Sequence, residues 1–233
     1  MQPVVFIYAR SDSQRLPGKA LMPLAGTPLV ALVAARAARV GARSCVLVTT
    51  DRAVDDRLAD TGRALGLGVV RGHATDLVAR SLQAIAETGA THFLRVNGDS
   101  PFFAPELAAA AMDHLRDADL VSNLIRRRFP YGVAVEWMSA DAYATLSDSA
   151  AEAEREHVTQ HLYRQLSKLR VLSLEQARDD SHLRLALDTA QEHADLTRLI
   201  GSQDPTQLSY WSACGLAAPT LGMIPQTTQA GTP

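Results

Sequence analysis

The chain has 233 residues and a formal net charge of −2. That balance disfavours a broad nucleic-acid footprint, which needs a basic excess. The hydrophobic share of 47% suffices for one sizeable core, and no apolar run approaches the roughly 20 residues of a membrane span. Cys45 and Cys214 are the only cysteines, far apart and without metal-ligand spacing. The first residues lack the basic region and cleavage site of a signal peptide, so a reduced, cytoplasmic setting is expected.

Strand-length apolar runs alternate with helical patterns. Pro3–Ala9 reads as a buried strand, followed after Gly26-Thr27-Pro28 by a helix with Pro28 near its first turn. Strands follow at Ser44–Thr50, Gly68–Arg71, His92–Asn97 and Asp119–Ile125. Helices at Val54–Leu65, from a Thr75 or Asp76 cap to about Glu87, and from Pro105 to about Arg116 separate them. Later, Val133–Met138, a segment near Val171–Leu174, and Leu183–Leu187 read as strands. Ser139–Leu146, Glu154–Leu166 and Gln191–Leu199 read as helices. The rhythm predicts an α/β fold, a mostly parallel sheet with helices on both faces. We expect one domain over residues 1–224, with a small insertion or dimerisation arm at 126–170 that carries exposed Phe129, Tyr131 and Trp137. A disordered polar tail is expected at 225–233.

The loop after the first strand, ARSDSQRLPGKAL, holds Arg10, Arg15 and Lys19 around Pro17-Gly18. In parallel α/β sheets, ligands sit beyond the carboxyl ends of strands. A Walker loop would need Gly at 13 and Ser or Thr at 20, where this chain has Ser13 and Ala20. A dinucleotide loop needs three spaced glycines, and only Gly18 is present before Ala25. What remains is a side-chain clamp for phosphates, in which Arg forks onto oxygens and Lys supplies a point charge. A solvated basic turn is the competing reading.

The run A-R-x-x-S-x-R-L-P-G-K-x-L from Ala9 resembles the opening signature of cytidylyltransferases that activate acidic sugars. The closest branch is the spore-coat-polysaccharide type, related to the 3-deoxy-manno-octulosonate and acylneuraminate enzymes. Five later blocks resemble that branch in order: Arg71-Gly72 with Asp76 to Arg80, Arg95 to Pro101, Phe129 to Glu136, Arg155-Glu156-His157-Val158-Thr159, and Leu185 to Thr189. The resemblance implies a three-layer, Rossmann-like nucleotidyltransferase fold. It implies transfer of CMP from CTP to a small acidic acceptor, with pyrophosphate released and Mg²⁺ required. It assigns CTP binding to Ala9, Arg10, Ser13, Arg15, Gly18, Lys19, Arg71, Asp76, Arg80 and Asn97. It makes Lys19, Arg10 and Asp99 catalytic, and Asp99 and Asp188 the metal ligands. It also points to a homodimer. On local chemistry alone Asp99 is equally a turn residue and Asp188 a helix cap.

The acceptor half departs from the branch pattern. Ser100 stands for its Cys, Ala134 for an Asp, and Ala190-Gln191 for Pro-Glu. The acceptor therefore stays open between a ulosonic or nonulosonic acid and a compact phosphonate or phosphate. Candidate acceptor residues are Arg126, Arg128, Tyr131, Glu136 and His157. Strand alternation sends at least one of Arg126-Arg127-Arg128 to solvent. Glu136 also reads as an edge charge and His157 as a satisfied core histidine. Two other functions fit an α/β nucleotide fold. A metal-dependent glycosyltransferase would want D-x-D, which is lacking around Asp99. A non-catalytic nucleotide-binding module would want a gap at a reactive position, yet Lys19, Asp99 and Asp188 are all present.

Overall fold

The structure, a computed structural model, describes residues 1–226. The apolar run of β1 (Pro3–Tyr8) is buried from Val4 to Tyr8, which fits a strand covered on both faces. It pairs in parallel with β4 (Ser44–Thr50) and β6 (His92–Asn97), and β4 pairs with β5 (Gly68–Gly72). Beyond β6 come β8 (Glu136–Ser139), β7 (Leu120–Ser122), β9 (Val171–Gln176) and β10 (Leu221–Pro225). The eight-stranded order is β10-β9-β7-β8-β6-β1-β4-β5, with β8 and β10 antiparallel to their neighbours. A two-stranded hairpin, β2 (Pro23–Leu24) with β3 (Thr27–Pro28), leads into α1 (Leu29–Ala38), and Pro28 is its N-cap.

Strand alternation divides the core. Val5, Ile7, Leu47, Leu94 and Val96 face one side, against α1, α2 (Asp56–Ala64), α4 (Pro105–Met112) and α7 (Ala190–Ile200). Val4, Phe6, Val46, Val48 and Phe93 face the other, against α3 (Leu77–Thr88), α5 (Ala140–Ser147) and α6 (Gln160–Tyr163). At about 25 cal/mol per Å² of apolar surface, these two interfaces are the main stabilising term. A short α8 (Tyr210–Ala213) follows α7 and precedes β10.

Several expectations are corrected. The strand expected at Val133–Met138 starts only at Glu136, because the Asn123 side chain takes the earlier backbone groups. Its Nδ2 donates to Val133 O at 2.8 Å, and its Oδ1 accepts from Val135 N at 2.9 Å. The helix expected at Glu154–Leu166 shrinks to α6, flanked by 3-10 turns at Glu152–Glu154 and Leu166–Lys168. The preceding carbonyls are used elsewhere: Arg155 O accepts from Leu77 N at 2.7 Å, and Val158 O accepts from the Tyr143 hydroxyl at 2.8 Å. Leu183–Leu187 is not a strand. It makes a single bridge between Arg184 and Tyr131, and Leu187 N donates to Asp99 O at 2.8 Å.

The 126–170 stretch does not carry the expected exposed apolar set. Phe129 and Trp137 are buried, and the Trp137 indole donates to Ala108 O at 2.9 Å. Only Tyr131 of the three is exposed. Strand β10 was not expected, and Pro225, placed in the tail, closes it. The rest of the expected tail, residues 227–233, lies outside the described residues.

Candidate active site

The site is built where β1 and β6 end side by side. Gly98 N donates to Tyr8 O at 2.8 Å. A Cβ on Gly98 would lie 2.7 Å from Ala9 Cβ and 3.0 Å from Tyr8 O, so only glycine allows this approach. The approach brings the loop after β1 beside Asp99. That loop closes through Gly18, whose left-handed φ of 72° turns the chain and whose N–H reaches Ser11 O at 2.9 Å. Its far side is pinned to the segment after β4. Ser11 N donates to Asp55 Oδ1 at 2.6 Å, Arg52 pairs with Asp12 at 2.6 Å, and the wholly buried Asp55 carboxylate also takes the Thr50 hydroxyl.

Lys19 opens a 3-10 turn and points its ammonium between two carboxylates, 2.8 Å from Asp99 Oδ2 and 2.8 Å from Asp188 Oδ1. Burial lowers its pKa, but Asp99 and Asp188 outweigh burial and hold it above the ordinary lysine value, so Lys19 stays charged. Asp188 stands one residue before Thr189, the N-cap of α7. The cap expected of it falls instead to Thr189, whose hydroxyl accepts from Glu192 N while the Glu192 carboxylate accepts from Asp188 N and Thr189 N. The Asp188 side chain is thereby free to face cations: Lys19, Arg15 at 3.0 Å and Arg184 at 2.8 Å. Burial raises its pKa, yet these cations, Lys19 foremost, hold the carboxyl below its ordinary range.

Two cavities meet at this cluster. The larger, of about 780 Å³, is lined by Ala9, Arg10, Ser13, Arg15 and Lys19 of the loop, with Arg80, Asn97 and Asp99. The smaller, of about 340 Å³, holds Arg95, Arg127, Phe129, Tyr131 and Ser181. Arg15, Asn97, Asp99 and Asp188 line both, so the cavities share a wall.

The other sequence candidates are engaged differently. Gly18 shapes the loop without lining a cavity. Arg71 points to Thr50 O, Arg52 O and Asp56. Asp76 caps α3 and pairs with Arg155 at 2.8 Å. Arg80 lines the larger cavity but gives its guanidinium to the His73 and Ala74 carbonyls. His157 lines the larger cavity, not the smaller. Arg126 faces Glu175, and Arg128 donates to Ala177 O at 2.8 Å. Glu136 is buried against Arg95. Sequence reading named Arg95 only as the start of a matched block and Arg127 only within the arginine run, and it passed over Asp55. No local signal separates Arg127 from its two neighbours, since the run lies in turn backbone beyond the end of β7.

Among the described residues, no group of three or more His, Cys, Asp or Glu is arranged to hold a metal. Asp99 and Asp188 converge on one cation, the Lys19 ammonium; such a carboxylate pair is also the donor type that fits Mg²⁺, which takes one or two carboxylates and fills its shell with phosphate oxygens and water.

A mostly parallel sheet with a cationic loop and paired aspartates at its carboxyl edge defines a nucleotidyltransferase. A cytidylyltransferase family profile matches residues 4–209, and the chain belongs to that family. It is 28% identical over 213 residues to the spore coat polysaccharide biosynthesis protein SpsF of Bacillus subtilis, covering 85% of this chain and 87% of that one. It is 36% identical over 115 residues to the 3-deoxy-manno-octulosonate cytidylyltransferase of an Acidovorax species, covering 48% and 44%. A cytidylyltransferase structure from Leptospira borgpetersenii superposes with a TM-score of 0.86 at 26% identity, over 92% of this chain and 93% of that one. A CMP:2-keto-3-deoxy-manno-octonic acid synthetase complexed with CTP shares the fold, with a TM-score of 0.63 at 17% identity over 86% and 98%. No helix among the described residues is long and apolar enough to cross a membrane.

Proposed function

We propose that the chain, as one domain over residues 1–224, transfers CMP from CTP to a small acidic acceptor and releases pyrophosphate. The shared wall carries this reading: a triphosphate-sized cavity and a smaller one open onto the same Asp99 and Asp188. CTP takes the larger cavity, with Arg10, Ser13, Arg15 and Lys19 on its phosphates. The acceptor takes the smaller, and its oxygen attacks the α-phosphorus. The new P–O bond forms as the bond to the bridging oxygen breaks, and pyrophosphate leaves on the side of the loop. Such a step asks for positioning and charge neutralisation more than covalent help. Lys19, kept charged by its two carboxylates, is poised to take up charge on the leaving pyrophosphate. Asp99 and Asp188 would hold Mg²⁺, which would supply charge neutralisation for the phosphates.

The test is pyrophosphate release with each nucleoside triphosphate, with and without Mg²⁺, across acidic sugars and phosphonates. CTP in the presence of Mg²⁺ is expected to lead. Faster release from GTP or UTP would overturn the base assignment. We also propose a homodimer and a cytoplasmic setting; the dimer rests on family likeness, since the buried Phe129 and Trp137 lend it no support.

A further inference from the structure

The smaller cavity contains a cation that the signature loop does not explain. Arg95 lies on β6 opposite Phe6 of β1, on the sheet face where Phe6 stacks on Phe93 and Tyr143 meets Phe93 edge-on. Its charge is balanced by the wholly buried Glu136 of β8, through Nη1 and Oε2. Arg95 Nε and Glu136 Oε1 are both buried and have no partner among the described residues. A buried ion pair with atoms left unsatisfied is less stabilising than a packed apolar pair of similar volume. Folding alone is thus a poor account of it. Arg95 lines the cavity and Glu136 does not, so the pair presents only its cationic member. The exposed Arg127 lines the same cavity from the loop after β7. Asp99 and Asp188 line it too, and they repel an anion placed beside them.

We propose that Arg95 is a specificity-determining residue that reads an anionic group on the acceptor, with Arg127 as the second contact and Glu136 as the residue that positions Arg95. The inference rests on the cytidylyl-transfer reading and deepens it. The acceptor is a compact molecule with its charge at one end and its attacking oxygen at the other. The charged end, a carboxylate or a phosphonate, lies against Arg95 and Arg127. The attacking oxygen lies at the Asp99 and Asp188 wall. A neutral polyol of the same size is rejected, because it leaves the guanidinium desolvated without an anionic partner.

Calorimetric titration with methylphosphonate, pyruvate and glycerol tests this, each with and without CTP. The wild-type protein is expected to bind at least one of the two anions and not glycerol; the tighter anion identifies the acidic group. Arg95→Gln alone would strand a buried carboxylate, so the informative variant is the paired Arg95→Met/Glu136→Leu, which removes both charges. It is expected to weaken anion binding at least tenfold while CTP affinity changes by less than about twofold. Arg127→Gln is expected to weaken the anion several-fold. Should the paired variant not fold, phenylglyoxal labelling of wild-type protein replaces it, with methylphosphonate or pyruvate expected to protect Arg95 in mass-spectrometric mapping. Unchanged anion affinity in the paired variant, equal binding of glycerol, or labelling of Arg95 unaffected by either anion would overturn the proposal. Loss of CTP binding and of pyrophosphate release in the wild type would instead overturn the nucleotide reading.

Discussion

Lys19 is the residue on which the site turns, because among the described residues it alone pairs with both aspartates. On the proposed mechanism, replacing it with Ala removes the charge offered to the leaving pyrophosphate. Turnover is expected to fall about 10²–10³-fold, the usual cost of a preorganised charge-stabilising donor. Near-wild-type turnover would remove the loop from the mechanism. The same contacts set an acid limit. The folded Asp188 carboxyl lies below its ordinary range, so its ionised form stabilises the fold above the unfolded pKa. That contribution fades as pH falls through the lower folded pKa. In Lys19→Ala the depression is smaller, and acid unfolding followed by circular dichroism is expected to begin at a higher pH than in the wild type. Lys19, Asp99 and Asp188 were legible in the sequence because each sits in a motif of fixed spacing. Arg95 opens a matched block, yet its pairing was not legible, since Glu136 can be matched to it only across a strand pair. Asp55 was invisible for a similar reason: its partner Ser11 lies 44 positions away.

At the scale of elements, α7 matters through its first turn. The Thr189 and Glu192 box fixes the backbone amide of Asp188 and so aims its side chain at Lys19. Thr189→Ala is expected to cost about 1 kcal/mol of stability, the usual value for a lost N-cap. It is also expected to lower turnover more than a stability loss of that size explains. A fall in unfolding free energy with unchanged turnover in folded protein would limit the box to a structural role. Elements read well where one rule decided them. β1 is an uninterrupted apolar run, β4 and β6 have apolar centres of strand length, and α3 has both an Asp76 cap and a Gly89 stop. They read poorly where side chains replaced backbone partners, as at Asn123, or where loops paired with single residues, as at 183–187. β10 escaped because its residues are half exposed at a sheet edge and lack a clean alternation.

For the whole molecule, the parallel sheet and its two covered faces follow from the strand–helix rhythm, and that much was legible. The antiparallel insertion of β8 between β6 and β7 was not, since pairing across that distance leaves no local mark. The proposed homodimer is a property of this scale: light scattering is expected to give twice the 25.1 kDa chain mass, and a mass near one chain would reject it. The contact between Lys19 and Asp188 spans 169 positions. During synthesis the loop leaves the ribosome early, but its counter-charges arrive only when the chain is nearly finished. A nascent fragment ending before α7 would carry a cationic loop with no catalytic wall opposite it. Pyrophosphate release by fragments of increasing length is therefore expected to stay absent in every fragment that ends before residue 188, which makes the appearance of activity a marker for arrival of the last wall of the site.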